Sequence, residues 1–109
     1  MSRKRITFEG RSWDDLQSFP TPVRDRIDAQ LRLLERGLDP DDWKPMAAVG
    51  PGVREIRVRD RSGAFRVIYV AKFEEAVFVL HCFQKKSEQT SRHDIEVARK
   101  RYRDLRARR

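Results

Sequence analysis

The chain has 109 residues, 25 Lys/Arg against 17 Asp/Glu for a net charge of +8, and a single cysteine. That length suits one ordinary core and not two, so residues 1–109 read as a single domain. One cysteine excludes an intrachain disulfide framework, the opening residues lack the apolar run of a signal peptide, and nothing approaches a membrane span, which points to the cytoplasm.

In chain order, Arg5-Ile6-Thr7-Phe8 alternates as a short strand does. Ser12, with Asp15 three residues on, predicts a helix cap, after which Trp13, Leu16 and Phe19 share one helical face and Pro20 ends the element. Thr21-Pro22 reads as a second cap with a first-turn proline. Val23, Ile27, Leu31, Leu34 and Leu38 then recur at three- to four-residue spacing, with Gly37 just past the last full turn. The two helices are expected to form a hairpin.

Pro40, Pro45, Gly50, Pro51 and Gly52 mark a loop over residues 39 to 52. Three segments rich in Val, Ile, Phe and Tyr follow at 53 to 59, 65 to 71 and 77 to 83, joined by Asp60-Arg61-Ser62-Gly63 and Lys72-Phe73-Glu74-Glu75. They predict an antiparallel meander. Ser91 with Asp94 caps a last, basic helix over about 91–109, in which Ile95, Ala98, Tyr102 and Leu105 form one narrow apolar stripe. The order is β-α-α-β-β-β-α, an α+β architecture.

The positive charge is concentrated at the ends: residues 84 to 109 hold ten Lys/Arg against four Asp/Glu, and residues 1 to 9 hold three against one. A basic terminal segment suits a polyanion, because each neutralised phosphate releases counterions. Nucleic acid is favoured over a membrane surface, since the last helix lacks the wide apolar face of an interfacial helix.

Ile56 and Val58 alternate with Glu55, Arg57 and Arg59, so both arginines share a face; whether Arg66 on the next strand joins them depends on a register that the sequence leaves open. Lys85 and Lys86 follow near the sheet's edge. Several cations on one face are what phosphodiester cleavage without a metal requires, because charge builds on the non-bridging oxygens in the transition state. A solvated strand face with surface ion pairs accounts for the pattern equally well.

His93, in the first turn of the last helix, is a candidate general acid or base, or simply an exposed helix-start histidine. His81 is either buried or turned to the site. His81, Cys82 and His93 lack structural-metal spacing, so no metal or other cofactor is expected. Cys82 reads as packing, and Trp13, Phe19, Phe78 and Phe83 as core, with Trp43 in the loop the best base-stacking exception.

Four blocks then stand out in order: Gly52-Val53-Arg54-Glu55-Ile56-Arg57, Gly63-Ala64-Phe65-Arg66-Val67-Ile68-Tyr69, Leu80-His81-Cys82-Phe83-Gln84-Lys85-Lys86-Ser87 and Ile95-Glu96-Val97-Ala98-Arg99. They resemble successive blocks of phage-derived, HigB-like proteins of the RelE/ParE toxin superfamily, over roughly residues 5 to 105. The resemblance implies a RelE-like fold and the toxin of a type II toxin-antitoxin pair. RelE-like members cleave mRNA in the ribosomal A site by attack of the ribose 2′-hydroxyl on the adjacent phosphate, without a metal. The implied partners are the ribosome with its mRNA and a helix-turn-helix, HigA-like antitoxin, through which alone the toxin meets operator DNA.

Carried over onto this sequence, Arg66 matches the family's strand arginine, Arg57 and Arg59 its alternating basic pair, and Lys85 and Lys86 its basic block, with Arg54 and Arg92 added as RNA contacts. The tyrosine that activates the hydroxyl in RelE has no clear counterpart: the choices are His93 and Tyr102, and Tyr102 lies on the apolar stripe. The resemblance leaves two other functions open, a ParE-like inhibitor of DNA gyrase and a phage-derived protein that binds RNA or an antitoxin without cutting.

Overall fold

The structure, a computed structural model, describes residues 3–109; Met1 and Ser2, the start of the stretch in which no signal peptide was read, lie outside the described residues. In chain order the elements are β1 (Arg5–Phe8), α1 (Ser12–Gln17), α2 (Thr21–Glu35), β2 (Trp43–Pro45), β3 (Val53–Asp60), β4 (Gly63–Val70), β5 (Ala76–Lys85) and α3 (Arg92–Arg108). The α+β class and the expected order hold, with β2 added. That strand sits in the segment read as loop: Trp43 and Lys44 pair antiparallel with Ile56 and Glu55 of β3, and Pro45 closes the pairing. So short a strand carries no readable period, and a prolyl terminus suits a sheet edge.

The sheet runs β1-β5-β4-β3-β2. β3, β4 and β5 form the antiparallel meander, while β1 pairs parallel with β5, so the sheet is mixed. α1 rests on β5 and α2 on β3, each helix leaning on the sheet more than on its neighbour. One core lies beneath them, where Val23, Ile27, Leu31 and Leu34 meet Ile56, Val67, Tyr69 and Val79. A second lies on the opposite face, where Ala98, Tyr102 and Leu105 of α3 cover Ile68, Val70, Phe78 and Leu80. β4 and β5 are therefore buried on both faces, which is why they read as near-continuous apolar runs.

α2 starts one residue earlier than the Thr21-Pro22 reading, with Pro20 as N-cap. It ends in a Schellman turn: Gly37, at φ 78°, donates to Leu34, and Leu38 N–H reaches back to Leu33. The left-handed residue turns the chain away, so Leu38, expected on the buried stripe, stands in solvent. In α1 the Ser12 hydroxyl does not cap the helix; it is buried and donates to the Val79 carbonyl at 3.2 Å. That tie turns Ser12 rather than Trp13 toward the sheet, and Trp13, expected in the core, is 51 % exposed with its ring edge-on to Phe8. α3 follows its predicted cap, the Asp94 N–H donating to Ser91 Oγ at 3.1 Å. Among the described residues no helix is long and apolar enough to cross a membrane.

A β-bulge interrupts the β4–β5 pairing. Ile68 faces His81 and Tyr69 faces Val79, leaving Leu80 without a partner. Leu80 and His81 both reach the α3 side, so His81 does not share a face with Val77 and Val79 as plain alternation predicts.

Candidate functional site

The register of the β3–β4 hairpin places Arg57 directly opposite Arg66 and Arg59 opposite Ala64, while across β4 Ala64 faces Lys85. Alternation puts all four cations on the face that α3 covers, beyond the first turn of that helix. The register that the sequence left open thus brings Arg57, Arg59, Arg66 and Lys85 onto one face.

At its base lies Glu55, whose side chain is 0 % exposed. Its Oε1 is 3.5 Å from Arg66 Nε and 3.8 Å from Lys44 Nζ, and its Oε2 accepts from Thr90 Oγ1 at 3.2 Å. Neither Glu55 Oε1 nor Arg66 Nε completes a hydrogen bond at these distances. Arg66, 4 % exposed, has its pKa lowered, by burial first and against the pull of Glu55, with Arg57 and Arg59 lowering it further. Arg57 is fixed from the side: its Nε and Nη2 donate to Asp42 Oδ1 at 2.9 and 2.7 Å. Arg59 is exposed, and its side chain forms no ion pair among the described residues. Lys85, half-buried, is also lowered, by burial first and then by Arg66. The result is a patch of preorganised cations around one sequestered carboxylate, which is suited to receive a phosphodiester.

The remaining candidates lie elsewhere. Arg54 is on the opposite face, its guanidinium 4.1 Å above the Trp43 ring and paired with Asp39 at 3.0 Å. The stacking face of Trp43 is thus already occupied by a cation. Lys86 follows the end of β5 and is exposed. Arg92 pairs with Glu96 in the exposed first turn of α3, next to His93, which forms no hydrogen bond among the described residues.

His81 is the histidine the fold engages. Its Nε2 lies 2.7 Å from Asp94 Oδ1 and its Nδ1 3.4 Å from Arg101 Nη1, with the ring stacked on Phe83 at 4.9 Å. An arginine only donates, so Nδ1 accepts and Nε2–H donates to Asp94. Burial lowers the His81 pKa despite Asp94, and this neutral group ties β5 to α3. Cys82 faces the other core, where burial raises its thiol far above the usual range. Tyr102 is core as expected, its hydroxyl donating to the Pro51 carbonyl at 3.0 Å.

The family model described as "Phage derived protein Gp49-like (DUF891)" matches residues 14–103. The chain belongs to that family. The Gp49-like family is a RelE-like toxin family, in agreement with the superfamily to which the sequence blocks pointed. Among solved structures, an arginine-to-alanine double mutant of the E. coli toxin RelE in the free state matches at a TM-score of 0.63 and 17 % identity. The alignment covers 96 % of this chain and 99 % of that one, and it shows that the fold is RelE-like. A search of curated proteins found no match.

Within this Gp49-like chain, sequence reasoning missed Glu55, Lys44 and Thr90 as parts of the patch. A signal for Glu55 was present, since a lone acid between Arg54 and Arg57 shares the face of Arg57 and Arg59. None exists for Lys44, which reaches Glu55 only through the short strand β2.

Proposed function

We infer that this Gp49-like toxin is a single-domain, HigB-like, ribosome-dependent mRNA endoribonuclease of the cytoplasm that needs no metal. The observation that carries the reading is the cross-strand pairing of Arg57 with Arg66, with Arg59 and Lys85 beside them over buried Glu55. In this reading the scissile phosphate lies on the four cations. The 2′-hydroxyl gives up its proton and attacks phosphorus, the bond to the 5′-oxygen breaks and that oxygen takes a proton. The products are a 2′,3′-cyclic phosphate and a 5′-hydroxyl end. Charge growing on the non-bridging oxygens meets donors already in place.

Glu55 is closed off from solvent and serves as the counter-charge that positions Arg66. Proton transfer falls to Lys85, which solvent reaches and whose pKa is lowered. His93, a candidate proton carrier or simply an exposed helix-start histidine from the sequence, forms no hydrogen bond among the described residues and in this reading joins Lys86, Arg92 and Arg54 as outlying RNA contacts. The partners in this reading are the ribosome with its mRNA and a HigA-like antitoxin that carries the operator-DNA contact.

The lack of a histidine or tyrosine hydrogen-bonded to the four cations among the described residues supports one alternative, a protein that binds RNA or antitoxin without cutting. The test is inducible expression in a bacterial host, with primer-extension mapping of transcripts for wild type and Arg66→Ala. Growth arrest with new cuts inside translated frames is expected, reduced about a hundredfold or more in the variant. Arrest with intact mRNA and disturbed DNA topology would replace the nuclease with a gyrase inhibitor, and no arrest would leave binding alone.

A further inference from the structure

The cations of α3 and its last residue divide into two groups. Arg92 pairs with Glu96, Lys100 with Asp104, Arg108 with Glu9 and Arg109 with Glu75, while Arg101, without an ion pair, is half-buried and turned inward onto the Leu80 carbonyl at 2.9 Å. Arg99, Arg103 and Arg106 form no ion pair among the described residues, and all three are exposed. At 3.6 residues per turn they fall within an arc of about 60°, so the unpaired cations share one stripe. Like charges at these spacings repel.

That stripe borders a groove of about 550 Å³ between α3 and the turn before β3. Its accessible apolar surface comes from Pro51, Ala107 and the rim of Val49. Tyr102 lies beneath with only 3 % of its surface exposed, so its ring offers no platform for a nucleobase. Arg99 Nε donates to the Ala48 carbonyl at 2.6 Å and pins the turn to the helix, so the groove is formed in advance.

We propose that this groove docks an acidic, amphipathic segment of a partner protein. Its carboxylates pair with Arg99, Arg103 and Arg106, and an aliphatic side chain seats against Pro51 and Ala107. A nucleic-acid strand would satisfy the arginines but leave the aliphatic surface without a complement; a peptide with one acidic and one apolar face satisfies both and relieves the repulsion along the stripe. The inference rests on the toxin reading only for the partner's identity as an antitoxin.

The test uses the full chain and fluorescence anisotropy with three probes: a labelled helical peptide with glutamates one turn apart and leucines on its other face, the same peptide with serine for leucine, and a single-stranded RNA of equal charge. The leucine peptide is expected to bind about tenfold tighter than the serine peptide, and Arg103→Ala/Arg106→Ala to lose about tenfold. Lys100→Ala, on the paired group, should bind as wild type, and thermal unfolding checks that every variant is folded. RNA competing as well as the leucine peptide, with loss in the same double variant, would make the stripe a nucleic-acid surface and overturn the proposal. So would absence of peptide binding. Growth arrest measured in parallel separates the two readings: arrest without peptide binding rejects the groove alone, whereas peptide binding without arrest rejects the nuclease alone.

Discussion

One face of the sheet is built in two halves that share the same strands. Where α3 lies over it, Ile68, Val70, Phe78 and Leu80 meet Ala98, Tyr102 and Leu105 in a closed layer. Past the first turn of the helix the positions that continue those rows are Arg57, Arg59, Arg66 and Lys85, clustered around a buried Glu55. Backbone pairing is continuous across both halves, so strand structure does not separate them. Cover separates them: the closed half stabilises the fold by removing apolar area from water, and the open half holds like charges together at a cost to stability.

The largest effect is expected in the closed half. Leu105→Ala should cost about 3–4 kcal/mol, measured as a lower urea midpoint at unchanged slope, because the site cannot refill from a single helix. A loss below about 1 kcal/mol would mean that α3 contributes little to the closure of this layer.

In the open half, Glu55→Gln removes the counter-charge of a buried arginine and should cost about 3 kcal/mol. It should also lower transcript cleavage with little change in ribosome binding, since Arg66 loses its orientation. A more stable Glu55→Gln protein would show that the cations hold their places without it.

The junction between the halves is expected to respond to pH. Burial holds the His81 pKa below its ordinary 6.5. The unfolded chain therefore takes up a proton first as pH falls through that value, and stability present above it is lost, by up to about 1.4 kcal/mol per pH unit until the folded group titrates. His81→Leu should flatten this dependence in thermal unfolding followed between neutral and mildly acidic pH.

The smallest effect has the opposite sign. The Lys85 pKa is also held down in the fold, so the charged form is disfavoured there and Lys85→Met should stabilise the protein by a few tenths of a kcal/mol after solvent screening. The same variant should lose cleavage. A destabilised Lys85→Met would mean that the cations of the patch do not oppose one another.

The two halves were unequally legible in the sequence. The closed half follows from period: Ala98, Tyr102 and Leu105 recur as a helix stripe, and the apolar runs of β4 and β5 announce strands covered on both faces. Membership of the open half turned on register, which two neighbouring strands do not encode locally, so whether Arg66 joined Arg57 stayed undetermined until the turn at Arg61-Ser62 was placed. β2 was missed because three residues beside a proline show no alternation, and Lys44 was missed with it. Ser12 misled for another reason: its hydroxyl can accept from a helix N–H as a cap or donate to a carbonyl, and the long-range donation to Val79 displaced the local cap.

The bulge at Leu80 has a consequence for the patch as well as for His81. A strand has a phase, like a reading frame, and one supernumerary residue shifts everything downstream to the other register. Counted straight from Phe78, every even position on β5 would face α3, and Lys85 would emerge among the helices of the opposite side. With Leu80 unpaired the phase flips, Cys82 turns into the α2-side core, and Phe83 and Lys85 come up opposite Arg66 and Ala64. Flattening the bulge with Leu80 kept would therefore act as a structural frameshift, bringing Gln84 opposite Ala64 and moving Lys85 one residue, about 3.3 Å of strand, and one face away from the patch, whereas deleting Leu80 would leave a regular ladder with Lys85 still in its place.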